Sequence, residues 1–212
     1  MKNKITLAAA VTLALATAPT YAQWYAGASV GKSDITFNNA AQSDQFLDLG
    51  FTNPNTVSSN RDTGYRVFGG YQLHKYIAVE AGYVDLGKFD FRTDVSPPAG
   101  SLGGSTRISG FELSALGLLP VGDKFTAFAR IGALAGETKT SYTGTGSIQV
   151  LIGGETQKRS STQLVYGAGV SYAISNTLAV RGEWSKYTKL GNVFTGGQTD
   201  ANLYSLGLVY RF

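Results

Sequence analysis

The sequence predicts an all-β fold, an eight-stranded antiparallel up-and-down transmembrane β-barrel. Three observations predict it. Eight segments alternate bulky apolar residues with small or charged ones, each about ten residues long, the length at which a tilted strand crosses hydrocarbon. The connections between them alternate between tight turns and long polar stretches. The face opposite the bulky one is rich in glycine, which suits the interior of a narrow barrel better than a solvent surface.

In order, the segments are 24–33, 64–73, 76–86, 108–119, 125–138, 163–174, 178–187 and 203–212. The second and third are joined by His74-Lys75, the fourth and fifth by "PVGDK", and the sixth and seventh by "SNT". These are hairpin turns. The other connections, 34–63, 87–107, 139–162 and 188–202, are long. Short turns at one end and long loops at the other match a barrel in an outer membrane, with its turns in the periplasm.

Period two alone also fits a soluble exported sandwich. The second face decides between them. It carries Tyr25, Gly27, Ser29 and Gly31 in the first segment, and Val165, Gly167, Gly169 and Ser171 in the sixth. Large side chains from every strand would collide inside so narrow a ring. The bulky face carries Trp24, Tyr172 and Trp184 near strand ends, as two interfacial aromatic girdles require.

Composition agrees. The 212 residues include 27 Gly, 12 Tyr and 11 Phe, only 15% are charged, and Cys is absent. Residues 1–22 read as a secretory signal peptide. Lys2 and Lys4 precede an apolar run over 5–18, Pro19 breaks it, and Thr20-Tyr21-Ala22 offers small residues for cleavage before Gln23. The run is shorter than the roughly 20 residues a membrane-spanning helix needs. The barrel domain is then 23–212. The formal charge of +4 includes both leader lysines, so the sequence points to no nucleic-acid partner.

With the bulky face on lipid, the interior receives Arg66, Glu80, Glu112, Arg130, Arg181, Glu183 and Arg211. Buried charges are costly unless paired. Glu80 and Arg181 each sit four residues from the turn end and form the expected pair. Arg66 and Glu112 lie nearer the outside, Glu183 lies between these levels, and Arg130 is a further partner. Leu116, Leu118 and Phe128 share the same face. A plugged lumen follows, or one conducting only in small, rare steps.

No enzyme is expected. The only His, His74, sits in a short turn, and the Ser and Asp residues of the loops have no His to activate them. One His, no Cys and scattered carboxylates give no metal centre, and no cofactor is expected. Two loop stretches are unusually apolar, "QFLDLGF" at 45–51 and "SIQVLIGG" at 147–154. Either strands extend above the membrane and pack these residues together, or they form a sticky surface for a host protein, a phage or a neighbouring cell.

The stretches "WYAGASVGKS", "FGGYQLHKYIAVEAGYVDLG", "AGVSYAISNTLAVRGEW" and "LYSLGLVYRF", in that order, resemble the transmembrane domain of the outer membrane protein A family. The resemblance implies a Gram-negative outer-membrane barrel with both termini in the periplasm. Many family members continue into a peptidoglycan-binding domain; the stop at Phe212 implies a stand-alone barrel like the small adhesin and resistance types. It also implies that the terminal aromatics, Phe212 with Tyr210, are an assembly signal for the barrel-assembly machinery. Arg181 matches an interior Arg that exchanges carboxylate partners in a gate, and Glu80 matches one partner. Leu116 and Ser171 stand where the family has a Lys and a Glu, so a two-position switch through those residues is not expected.

The implied role is membrane integrity with surface loops for adhesion or interaction; a narrow porin-like channel for ions or small solutes is the alternative. The implied partners are outer-membrane lipid and lipopolysaccharide, the assembly machinery, and host or cell-surface ligands through the loops. The implied state is a monomer or weak dimer.

Overall fold

A computed structural model describes residues 23–35, 47–48, 54–96, 99–146, 156–190 and 199–212. The leader 1–22 and the stretch 147–154 lie outside these residues, as does most of 45–51.

Nine strands are present: β1 (Gln23–Ile35), β2 (Asn55–Ser59), β3 (Arg61–His74), β4 (Ile77–Val95), β5 (Gly100–Val121), β6 (Phe125–Gly146), β7 (Thr156–Ala173), β8 (Leu178–Leu190) and β9 (Thr199–Arg211). Eight of them form the ring, each antiparallel to its neighbours. β1 closes it against β9, from Tyr25 opposite Arg211 to Ile35 opposite Ala201. Closure satisfies the backbone groups that lipid cannot.

The outward face is a band of aliphatic side chains between two aromatic rows. At the turn end, Trp24 packs on Tyr71 with ring centroids 4.8 Å apart, and Phe125 packs on Tyr172 at 4.9 Å. At the loop end, Tyr83 meets Phe111 at 5.3 Å and Tyr166 meets Trp184 at 6.1 Å. On β9 the band runs from Phe212 to Tyr204. At about 3.3 Å per residue and a 40° tilt it is roughly 20 Å tall. Lys32, Asp85, Glu137 and Lys186 occupy the next outward positions, where water begins.

Two features depart from the sequence reading. The first long connection contains the ninth strand, β2, which pairs Asn55–Ser59 with the outer part of β4. The second and third connections are mostly strand: β4 runs on to Val95 opposite Gly100, and β5 and β6 stay paired out to Gly100 and Gly146. For β4 the reason is a slip in phase. A bulge between Asp85 and Lys88, with Gly87 at φ 91°, shifts the register by one residue. Inward positions are even-numbered up to Leu86 and odd-numbered from Phe89, so alternation counted across Gly87 fails.

The β1–β9 seam is tight. A Cβ on Gly31 would lie 1.9 Å from the Tyr204 carbonyl oxygen, whereas one on Gly117 meets nothing within 4 Å. Gly31→Ala should destabilise the barrel by about 2 kcal/mol through overpacking, and Gly117→Ala should leave it unchanged. Urea unfolding in lipid vesicles, followed by tryptophan fluorescence, measures both.

Candidate functional site

The lumen is filled in three layers. Nearest the turns, Tyr25, Phe68, Ala78, Leu116, Phe128, Ala179 and Val209 form an apolar layer, with Leu118 packed against it. Toward the loops, a second apolar layer gathers Val84, Leu86, Phe89, Ile108, Leu134, Val165, Tyr187, Leu190 and Leu203 with Ile35 and Ala201. Between them lies a charged layer.

Each charged residue arrives there because its strand alternates. Arg66 on β3, Glu80 on β4, Glu112 on β5, Arg130 on β6, and Arg181 and Glu183 on β8 all occupy inward positions and are buried. Arg66 bridges two strands: its Nη2 donates to Glu80 Oε2 at 2.6 Å and its Nε to Glu112 Oε1 at 2.5 Å. Arg130 Nη1 donates to Glu183 Oε1 at 2.5 Å, and its Nη2 donates to Glu112. Arg181 Nη1 donates to Glu80 Oε1 at 2.5 Å. Three guanidinium groups thus face three carboxylates, and the layer is neutral.

Hydroxyl groups complete the coordination. Tyr25 donates to Glu80 at 2.9 Å, Tyr187 to Glu112 at 3.3 Å and Ser185 to Glu183 at 2.6 Å. Ser114 accepts from Arg130 at 2.7 Å, and Ser171 from Arg181 Nε at 3.3 Å. Aromatic rings line the layer's lower side: the Arg66 guanidinium is 4.2 Å from the Phe68 centroid, and that of Arg181 is 4.8 Å from Phe128. Desolvation of each charge is offset only by this full set of partners. Arg66 Nη1 and Arg130 Nε make no hydrogen bond, and Arg66 Nη1 stands 3.6 Å from Glu183.

The structure therefore brings together six of the seven inward charged residues singled out from sequence, in one network rather than at separate depths. Arg211 stands apart, at the turn-end mouth. Leu116 lies in the lower apolar layer, where it is 1% exposed. Tyr210 and Phe212 are on the outer surface, their rings 5.2 Å apart, and the Phe212 N–H donates to the Trp24 carbonyl at 3.0 Å. His74 lies beside the Tyr76 ring, 5.5 Å away, in the turn. Among the described residues no group of three or more His, Cys, Asp and Glu could hold a metal.

Sequence reasoning missed the hydroxyl partners and the upper apolar layer. A signal for the hydroxyls existed. Ser114 and Ser185 lie two residues beyond Glu112 and Glu183, so they share the inward face.

A closed antiparallel barrel, banded outside by aliphatic and aromatic side chains and filled by charge inside, defines a small outer-membrane β-barrel that crosses the bilayer with its strands. The chain belongs to the family of OmpA-like transmembrane domains, which matches residues 19–212. Outer membrane protein A of Shigella dysenteriae is 30% identical over 215 residues, covering 97% of this chain and 55% of that protein. Outer membrane protein A of Escherichia coli O157:H7 is also 30% identical, over 217 residues, covering 97% and 54%. The chain thus spans about half the length of these curated relatives. The crystal structure of Neisserial surface protein A is similar in fold, with TM-score 0.54, 14% identity, and coverage of 89% of this chain and 97% of that one.

Glu112 holds two guanidinium groups and a phenol. Glu112→Gln should cost about 3 kcal/mol of stability, because it leaves buried positive charge uncompensated. Asp94→Asn, in an exposed pair with Arg92, should leave the urea midpoint unchanged. Unfolding in vesicles compares the two.

Proposed function

We propose that this protein is a closed outer-membrane scaffold that reinforces the membrane and presents its long connections for surface interaction, after removal of residues 1–22. One observation carries the reading: a neutral, buried charged layer stands between two apolar layers. Ions entering such a lumen must break buried pairs and dehydrate beside apolar walls. The second reading, a narrow conduit, draws on Arg66, whose free Nη1 lies 3.6 Å from Glu183 and offers an alternative pairing.

Outer-leaflet lipopolysaccharide is the proposed lipid partner. Lys88, Arg107, Lys139 and Lys158 stand side by side across β4 to β7, outside the loop-end aromatics. Three of them also pair with carboxylates on their own or the next strand, Lys88 with Asp90, Arg107 with Asp85 and Lys139 with Glu137, and the exposed row they form with Lys158 matches the phosphate groups of a lipopolysaccharide surface. Phe212 and Tyr210 are proposed as the signal read by the assembly machinery.

Refolded protein in planar bilayers should show no openings, or only small and rare ones. Large, stable openings from the monomer would overturn the closed reading. Deleting residues 147–154 should lower attachment of expressing cells to host cells or to one another, with heat-modifiable gel mobility retained. Equal attachment by a folded deletion variant would remove this stretch from the interaction surface.

A further inference from the structure

The lower apolar layer does not reach the turn-end rim. A cavity of about 190 Å³ opens there and reaches between residues of that layer to Arg181. Three cations line it, Lys75, Arg181 and Arg211, and no lining residue carries a carboxylate. Arg181 forms the inner wall, and its charge is matched from the charged layer by Glu80. Arg211 and Lys75 have no carboxylate within 4.0 Å among the described residues. Arg211 is held in place: it sits opposite Tyr25 across the seam, and its backbone N–H donates to the Thr177 carbonyl at 2.7 Å. Lys75 stands at the rim, its Nζ 4.7 Å from the Tyr76 ring centroid. Gln72, Thr126 and Ser171 add neutral hydrogen-bonding groups.

These features select a ligand class. Like charges gathered between low-dielectric walls focus a positive potential, which an anion relieves. Guanidinium groups match the geometry of an oxyanion better than that of a halide. The volume equals about six waters at roughly 30 Å³ each. That admits a small oxyanion with part of its hydration shell and is too little for a peptide segment. The lining strands present inward positions here, so the barrel wall separates the cavity from the lipid around it.

We propose that this vestibule is a binding site for a small multivalent oxyanion of the phosphate class, entering from the turn side. Arg211 and Arg181 supply the guanidinium pair, and Lys75 supplies a rim ammonium. The site does not depend on whether the lumen above it conducts.

The test uses the refolded barrel in zwitterionic micelles, titrated with inorganic phosphate and with pyrophosphate at constant ionic strength set by chloride. Two-dimensional amide NMR should show saturable shifts confined to Gln72, Lys75, Thr126, Ser171 and Arg211 and their neighbours, with half-saturation at ~1 mM and tighter for pyrophosphate. Arg211→Gln should weaken binding about tenfold and Arg211→Lys less; gel mobility reports folding. Should Arg211→Gln not fold, Lys75→Gln in the turn should weaken binding about threefold. Arg92→Gln, at the loop end, should change nothing. The absence of saturable shifts, or shifts undiminished in the folded variants, overturns the proposal. A repeat in nanodiscs separates a lipid headgroup from a free anion. Vestibule shifts that follow anionic lipid without added phosphate also overturn it.

Discussion

Hydrocarbon offers no partner to a backbone N–H or C=O, and this chain answers that constraint by closing β1 onto β9. The rest of the structure depends on that seam. A ring of only eight long strands has a lumen just wide enough for side chains. The small residues of the inward face follow from that width. Beside them, each large inward side chain needs a place. A Cβ on Gly70 would lie 2.2 Å from the Tyr25 ring, so the space Gly70 vacates is the space Tyr25 uses.

The same narrowness organises the charge. Six ionised side chains in a lumen this small cannot all reach water, so they pair. Their order around the ring makes this possible: Arg66, Glu80, Glu112 and Arg130 come from four successive strands, and Arg181 and Glu183 reach across from β8. Each carboxylate accepts from at least one Arg and one hydroxyl group. The apolar layers above and below surround the pairs with low-dielectric walls, which strengthens them and makes the removal of any one costly.

Much of this was legible in the sequence, because period two has only two phases and lipid assigns one to bulk. Once Trp24, Val30, Leu206 and Phe212 are placed outside, Arg66, Glu80 and Arg130 fall inside with no further information. What was not legible depended on phase or on depth. At Gly87 the phase slips, so Phe89 and Val95 read as loop residues although they face inward, and β4 was cut short. β2 is five residues long and is defined by pairing with that hidden part of β4. Depth counted along tilted strands separated Arg66 and Glu112 from Glu80, whereas shear brings all three together. The upper apolar layer draws Leu134 and Tyr187 from one end of their segments and Leu203 from the start of another, a gathering that only the ring's stagger makes.

The charged layer also gives this chain something an all-apolar filling would not. Lipid and an apolar lumen are equivalent solvents for Leu or Val, so alternation of apolar residues with glycine specifies the faces weakly. A one-residue slip in any one of β3, β4, β5, β6 or β8 would turn Arg66, Glu80, Glu112, Arg130, Arg181 or Glu183 toward hydrocarbon. An Arg on the lipid face costs roughly 2–4 kcal/mol near the midplane, and its abandoned partner adds the penalty of an unpaired buried charge. Five of the eight ring strands are pinned in this way. The other three carry no charge in this layer; β1 and β9 meet at the seam, where the close approach at Gly31 leaves little room for another register. Charge and glycine thus divide between them the work of setting the register of the ring.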